Sequence, residues 1–146
     1  MKKTDEPIVL EQLFPVNTIV LWNAITRLPE MTQWFFQNIE AFEPSVGFET
    51  RFIVTNQGRV FPHHWKITEA IPYKKIVYNW CYEGYKGNAI VCFELVEEGK
   101  NTLLRLTHTT TQDFPDNIPE FERAACIGGW NYFIKDRLHS YLKTKK

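Results

Sequence analysis

Apolar positions along the chain change their spacing several times, and each change marks an element. From Pro7 to Phe14, Ile8, Leu10 and Leu13 mix with Glu11 and Gln12 until Pro15 stops the run, as in a short strand. Ile19, Val20, Trp22 and Ile25 then recur at helical spacing behind Asn17 or Thr18, either of which can cap the helix, and Leu28-Pro29 ends it. Pro29 suits a first helical turn, so Glu30, Met31, Trp34 and Phe35 predict a second short helix. Beyond Phe42 come five runs: Phe48 to Asn56, Val60 to Ile71, Lys75 to Glu83, Asn88 to Val96 and Thr102 to Gln112. Their separators, Asn56-Gln57-Gly58, Pro72-Tyr73-Lys74, Gly84 to Gly87 and Glu97 to Asn101, are hairpin chemistry and predict an antiparallel meander. From Glu120 to Lys143 there is no proline, and Ile127, Trp130, Ile134, Leu138 and Tyr141 form the stripe of one long amphipathic helix. Its basic end, Lys143 to Lys146, suits the negative pole of the helix dipole.

This order predicts a single α+β domain over residues 1–146: a curved six-stranded antiparallel sheet, two short helices, and a long C-terminal helix across the concave face. Alternation assigns the inner face. On it fall Phe48, Phe52 and Val54, then Phe61, His63, Trp65, Ile67 and Ile71. The later strands add Ile76, Tyr78, Trp80 and Tyr82, then Val91, Phe93 and Leu95, then Leu104, Leu106, His108 and Thr110. One helix of about 10 Å diameter leaves part of such a concavity unfilled. An apolar pocket is therefore expected there.

Composition narrows the partners. With 17 basic and 17 acidic side chains the formal charge is zero, which gives no field to gather nucleic acid or an anionic membrane. Lys2-Lys3 is followed by no apolar signal region, and no run reaches the 18 apolar residues of a span, so a cytoplasmic protein without stable membrane insertion is expected. Cys81, Cys92 and Cys126 are odd in number and lack CxxC spacing, which predicts small buried hydrophobes in a reduced protein. His63 and His64 point to opposite faces of a strand, and His108 and His139 lack ligand spacing. Neither a metal nor a cofactor is expected, and no catalytic set, because Cys81 and Cys92 read as filler in strands. Gly128 and Gly129 cost about 1 kcal/mol each inside a helix. Close contact with the sheet, a wider cavity or a bend would offset that cost. The expected ligand-binding set is Phe52, Trp65, Ile67, Tyr78, Trp80, Phe93, His108, Gly128, Gly129 and Tyr132, with Tyr78, His108 and Tyr132 orienting the ligand. Packed solid, the same aromatics would simply be core.

The first-helix residues Val16-Asn17 to Trp22-Asn23-Ala24-Ile25-Thr26, and Gly128-Gly129-Trp130 followed by Leu138 and Tyr141-Leu142, carry a resemblance that the element order extends over nearly the whole chain. The chain resembles the SRPBCC or START-like superfamily, the helix-grip fold. Within it, the chain is similar to the group named for the C-terminal domain of activators of the heat-shock chaperone ATPase. Trp34-Phe35-Phe36 departs from the short Trp-rich turn, often followed by Pro, of that group. The resemblance implies a cavity that in relatives holds lipids, sterols, polyketides or other hydrophobic molecules. Some relatives are cyclases or aromatases, and the chaperone activators bind a protein. No catalytic motif is shared among them, so the resemblance carries over no catalytic residue. Three functional expectations result: a binder of a small hydrophobic or amphipathic ligand, a chaperone-associated or stress-related interaction module, and a cyclase- or hydrolase-like enzyme using His108.

Overall fold

The computed structural model describes residues 1–145. Lys146, the last residue of the basic tail, lies outside the described residues. Six strands, β1 (Ile8–Phe14), β2 (Glu49–Asn56), β3 (Arg59–Ile71), β4 (Lys75–Tyr82), β5 (Asn88–Glu98) and β6 (Asn101–Gln112), form one antiparallel sheet in the order β1-β6-β5-β4-β3-β2. The expected helix-grip architecture is therefore present, with strand ends displaced by one or two residues. Gln57 and Gly58, both at positive φ, make the two-residue β2–β3 turn whose twist suits a hairpin.

Between β1 and β2 lie α1 (Thr18–Thr26) and α2 (Leu28–Trp34). Asn17 caps α1: its side-chain oxygen accepts from the Val20 N–H at 2.9 Å. Arg27 ends α1 and opens α2, with Pro29 in the first turn. The Trp34 indole N–H donates to the Ala24 carbonyl at 2.7 Å, folding α2 back on α1.

The C-terminal helix begins later than expected. A 3-10 turn (Pro119–Phe121) precedes α3 (Arg123–Trp130), which runs through a π-helical stretch (Asn131–Leu138) into α4 (His139–Lys143). Helical dihedrals at Asn131 and His139 keep it one continuous rod. Its fully buried residues are Trp130, Ile134, Leu138 and Leu142, four apart throughout, while Ile127 and Tyr141 are only half buried. A spacing of four fits the wider π turn, in which bonds run from i to i+5. Arg137 donates to the Gln33 carbonyl at 2.6 Å, and the Tyr141 hydroxyl to Glu30 at 2.9 Å, tying this helix to α2.

Inner-face alternation holds in β4, β5 and β6, where Ile76, Tyr78, Trp80, Val91, Phe93, Leu104 and Leu106 are buried. It fails at the end of β3. The register shifts between Ile67 and Glu69, so Ala70 sits opposite the inward Ile76, and Ile71 turns to solvent instead of the core. A bulge adds one residue to a strand and reverses the parity of everything after it. The cysteines differ too. Pleating puts Cys81 and Cys92 on the outer face, opposite in sense to Trp80 and Phe93, and all three thiols are half buried and free rather than core filler.

Candidate functional site

The space between sheet and C-terminal helix divides into a filled end and an open end. At the filled end, Phe35 stacks on Trp34 at 4.7 Å and on Trp65 at 5.4 Å, and meets Phe133 edge-on at 5.0 Å. Phe36 lies 5.3 Å from Phe52, and Phe42 meets Tyr78 edge-on at 5.9 Å. Offset and edge-to-face contacts of this kind suit aromatic quadrupoles and leave no ligand space. Phe52, Trp65, Ile67, Tyr78 and Phe93 of the expected set are buried here among these rings; Phe52 also borders a groove on the outside, and none of the five lines the cleft.

The open end is a cleft of about 360 Å³. Val54 and Asn56 of β2, Phe61 and His63 of β3, Trp80 and Tyr82 of β4, and His108 of β6 supply the sheet wall. Cys126, Gly129, Trp130, Tyr132 and Phe133 supply the helix wall. Phe114, Glu120 and Phe121 close one side, with Met1 and Phe36 at the margins. The structure thus brings Trp80, His108, Gly129 and Tyr132 of the expected set together. Gly128 faces solvent on the other side of the helix. A Cβ on either glycine would meet nothing within 4 Å, so neither residue is required for close helix–sheet contact. Gly129 instead leaves the cleft wide.

Polar groups are few and their protons are set by their partners. His63 Nδ1–H donates to the Phe61 carbonyl at 3.0 Å, which leaves Nε2 as an acceptor. The Trp130 indole N–H donates to His108 Nδ1 at 3.4 Å, which places the His108 proton on Nε2. Trp80 donates to the Tyr82 hydroxyl at 2.9 Å, leaving the phenolic proton uncommitted among the described residues. Burial pushes His63 down to about 4 against a weak opposing pull from the Phe61 carbonyl. Burial, aided by the Arg123 and N-terminal charges, pushes His108 down to about 4 as well. Both rings are neutral at pH 7. Glu120 at the rim is held by Arg59 at 2.8 Å and Asn56 at 2.7 Å; the Arg59 hydrogen bond is the main cause lowering its carboxyl pKa.

Sequence reasoning placed His63 on the inner face without including it in the site, and omitted Tyr82, Phe114 and Phe121. Parity gave His63 and Tyr82 their inward direction. Phe114 and Phe121 lie in a connection where no periodicity applies. A wider polar groove of about 590 Å³ lies outside, at the β2 edge, bordered by Gln37, Asn38, Arg51 and Glu83. Among the described residues there is no group of three ligating side chains suited to a metal, and no helix long and apolar enough to cross a membrane.

Comparison with known proteins agrees with this architecture. Residues 16–143 match the family model described as Activator of Hsp90 ATPase homolog 1-like protein. The fold is similar to that of DynU16, from the dynemicin biosynthetic locus, with TM-score 0.74 and 23% identity; the match covers 97% of this chain and 49% of that one. Protein MLL2253 from Mesorhizobium loti is similar at TM-score 0.76 and 22% identity, over 97% of this chain and 99% of that one. The Aha1 dimer from Colwellia psychrerythraea gives TM-score 0.68 and 19% identity, over 90% of this chain and 92% of that one. No curated protein matches significantly.

Proposed function

The chain belongs to the Activator of Hsp90 ATPase homolog 1-like family, and from that premise we propose that it binds a compact, uncharged, amphipathic aromatic molecule in the cleft between sheet and helix. The observation that carries this reading is a cleft of about 360 Å³ walled by Phe61, Trp80, Phe114, Phe121 and Phe133, whose polar atoms are the Tyr82 hydroxyl, His63 Nε2 and His108 Nε2, the last beside Cys126 Sγ at 3.9 Å. Ligand pockets run from about 300 to 1,000 Å³, so this one fits a small ring system and excludes a two-chain lipid. The Tyr82 hydroxyl and His108 Nε2–H can donate and His63 Nε2 can accept, which suits the hydrogen-bonding groups of a phenol or ketone. A carboxylate or ammonium would enter unpaired, at a desolvation cost that neutral histidines do not offset. Apolar burial at about 25 cal/mol per Å² supplies the affinity.

A panel of aromatic phenols and ketones, read by thermal shift and native mass spectrometry, tests the reading. Gly129→Leu fills the cleft from the helix side, and its expected result is loss of binding with the fold intact. No shift across the panel, or unchanged binding in Gly129→Leu, overturns it.

The family description favours a second reading, a surface that docks a chaperone or another protein. Exposed Val9, Leu13, Ile90 and Val96 on the outer sheet face are its material. Retrieval of the heat-shock chaperone by wild type but not by a variant with these four made polar supports it. His108 bonds to Trp130 and Cys126, and among the described residues no carboxylate bonds to it to orient it as an acid or base, so the geometry favours a binding role.

A further inference from the structure

On the outer face of the sheet, strand pairing lines up three side chains that are far apart in sequence. His64 of β3 sits opposite Cys81 of β4, and Arg51 of β2 sits opposite His64, two pairs along from Glu49 and Lys66. The His64 Nε2 lies 2.7 Å from Glu49 Oε1, and Cys81 Sγ lies 3.7 Å from His64 Nδ1. The Glu49 carboxylate only accepts, so it fixes the proton on Nε2 and turns the bare Nδ1 lone pair toward the thiol. Thiol, imidazole and carboxylate thus stand in the order that activates a cysteine.

We propose that Cys81 is a nucleophile activated by His64 and Glu49, and that it takes small soluble disulfides in reversible exchange. The alternative, acyl transfer, needs backbone N–H donors aimed at a developing oxyanion. Here the thiol stands on the flat of a sheet whose N–H groups serve the strand ladder. Disulfide exchange develops no oxyanion and requires only a thiolate with in-line access. His64 takes the proton as Cys81 sulfur attacks. A new S–S bond forms, the substrate S–S bond breaks, Cys81 sulfur is oxidised and the departing sulfur is reduced, leaving as a thiol with the proton His64 returns.

The charged groups around the thiol are Glu49 and Arg51 from β2, His64 and Lys66 from β3, and Glu83 just past β4. Burial, then Glu83, holds the thiol above its usual range against Arg51, so a base is needed at neutral pH. Arg51 and Glu83, paired at 2.7 Å, also border the 590 Å³ groove, which gives the substituents of a disulfide a place to lie. Cys92 sits opposite Val77, four residues along β4 from Cys81, and Cys126 lies on the helix across the sheet, so the mixed disulfide has no neighbouring thiol to resolve it and persists until an external thiol reverses it.

The test uses the full chain and 4,4′-dithiodipyridine, an uncharged disulfide, with labelled sites mapped by peptide mass. One thiol, Cys81, is expected to react at least tenfold faster than Cys92 and Cys126. His64→Gln is expected to slow it at least tenfold while the rates of Cys92 and Cys126 stay unchanged. Glu49→Ala removes the acceptor that holds the proton on Nε2, and is expected to slow it too while leaving the circular dichroism and the other two thiols unchanged. Equal rates for Cys81 and Cys92, or an unchanged Cys81 rate in Glu49→Ala, overturn the proposal. Should His64→Gln unfold, exposing all three thiols, the exposed Glu49 variant decides alone.

Discussion

The filled and open ends of the sheet–helix interface share the same strands and the same covering helix, yet one is dry aromatic core and the other a cleft. The difference comes from what enters between them. At the filled end, α2 and the segment after it insert Phe35, Phe36 and Phe42 into the concavity. At the open end the 3-10 turn, Phe114 and Met1 arrive from the side, and the helix presents Gly129. Curvature of the sheet creates the space; irregular segments decide how much of it survives.

The sharpest way to break this contrast is Phe35→Ala, which removes a ring touching Trp34, Trp65, Trp130 and Phe133. A loss of about 3–5 kcal/mol is expected from denaturant unfolding. A loss below about 1 kcal/mol would mean that the filled end is as loose as the cleft. Acid probes the open end. His63 and His108 titrate near 4 in the folded protein against an ordinary 6.5, so the unfolded chain binds protons that the folded one excludes. Stability is full above about pH 6.5 and falls as pH drops toward 4, by up to roughly 3 kcal/mol per histidine. Urea midpoints measured across that range, with His63→Phe abolishing its share of the slope, check the sign and the size.

Gly87 supports the cleft wall. At φ +115 it lies in a backbone region closed to most residues, and a Cβ there would fall on the Phe114 ring. Gly87→Ala is expected to cost about 1–3 kcal/mol and to weaken ligand binding by displacing Phe114; unaltered binding and melting would show that Phe114 is not seated against this glycine. The smallest effect has the opposite sign. Gly128→Ala, on the solvent side of the helix, is expected to stabilise by about 1 kcal/mol without touching binding, which calorimetry and the same ligand panel would read.

Legibility followed periodicity. Tyr78, Trp80, Phe93, Leu104 and His108 are buried on the face that strand alternation predicts, because a pleated strand alternates at a fixed period of two. Ile71 escaped because the bulge before Glu69 depends on how β3 pairs with β4. Trp65, Ile67, Tyr78 and Phe93 of the expected site lie outside the cleft for a similar reason: nothing in the strands reports that Phe35 and Phe42 pack against Trp65 and Tyr78. Cys81, dismissed as filler, stands beside His64 only because two hairpins set the register of three strands.

The sequence by itself determined the elements, their antiparallel order and which face of most strands is buried, since these depend on spacings a few residues long. The tertiary structure alone decided where the interior stays hollow and that Glu49, His64 and Cys81 meet. Both depend on volumes and registers set between distant segments, which local patterns do not encode.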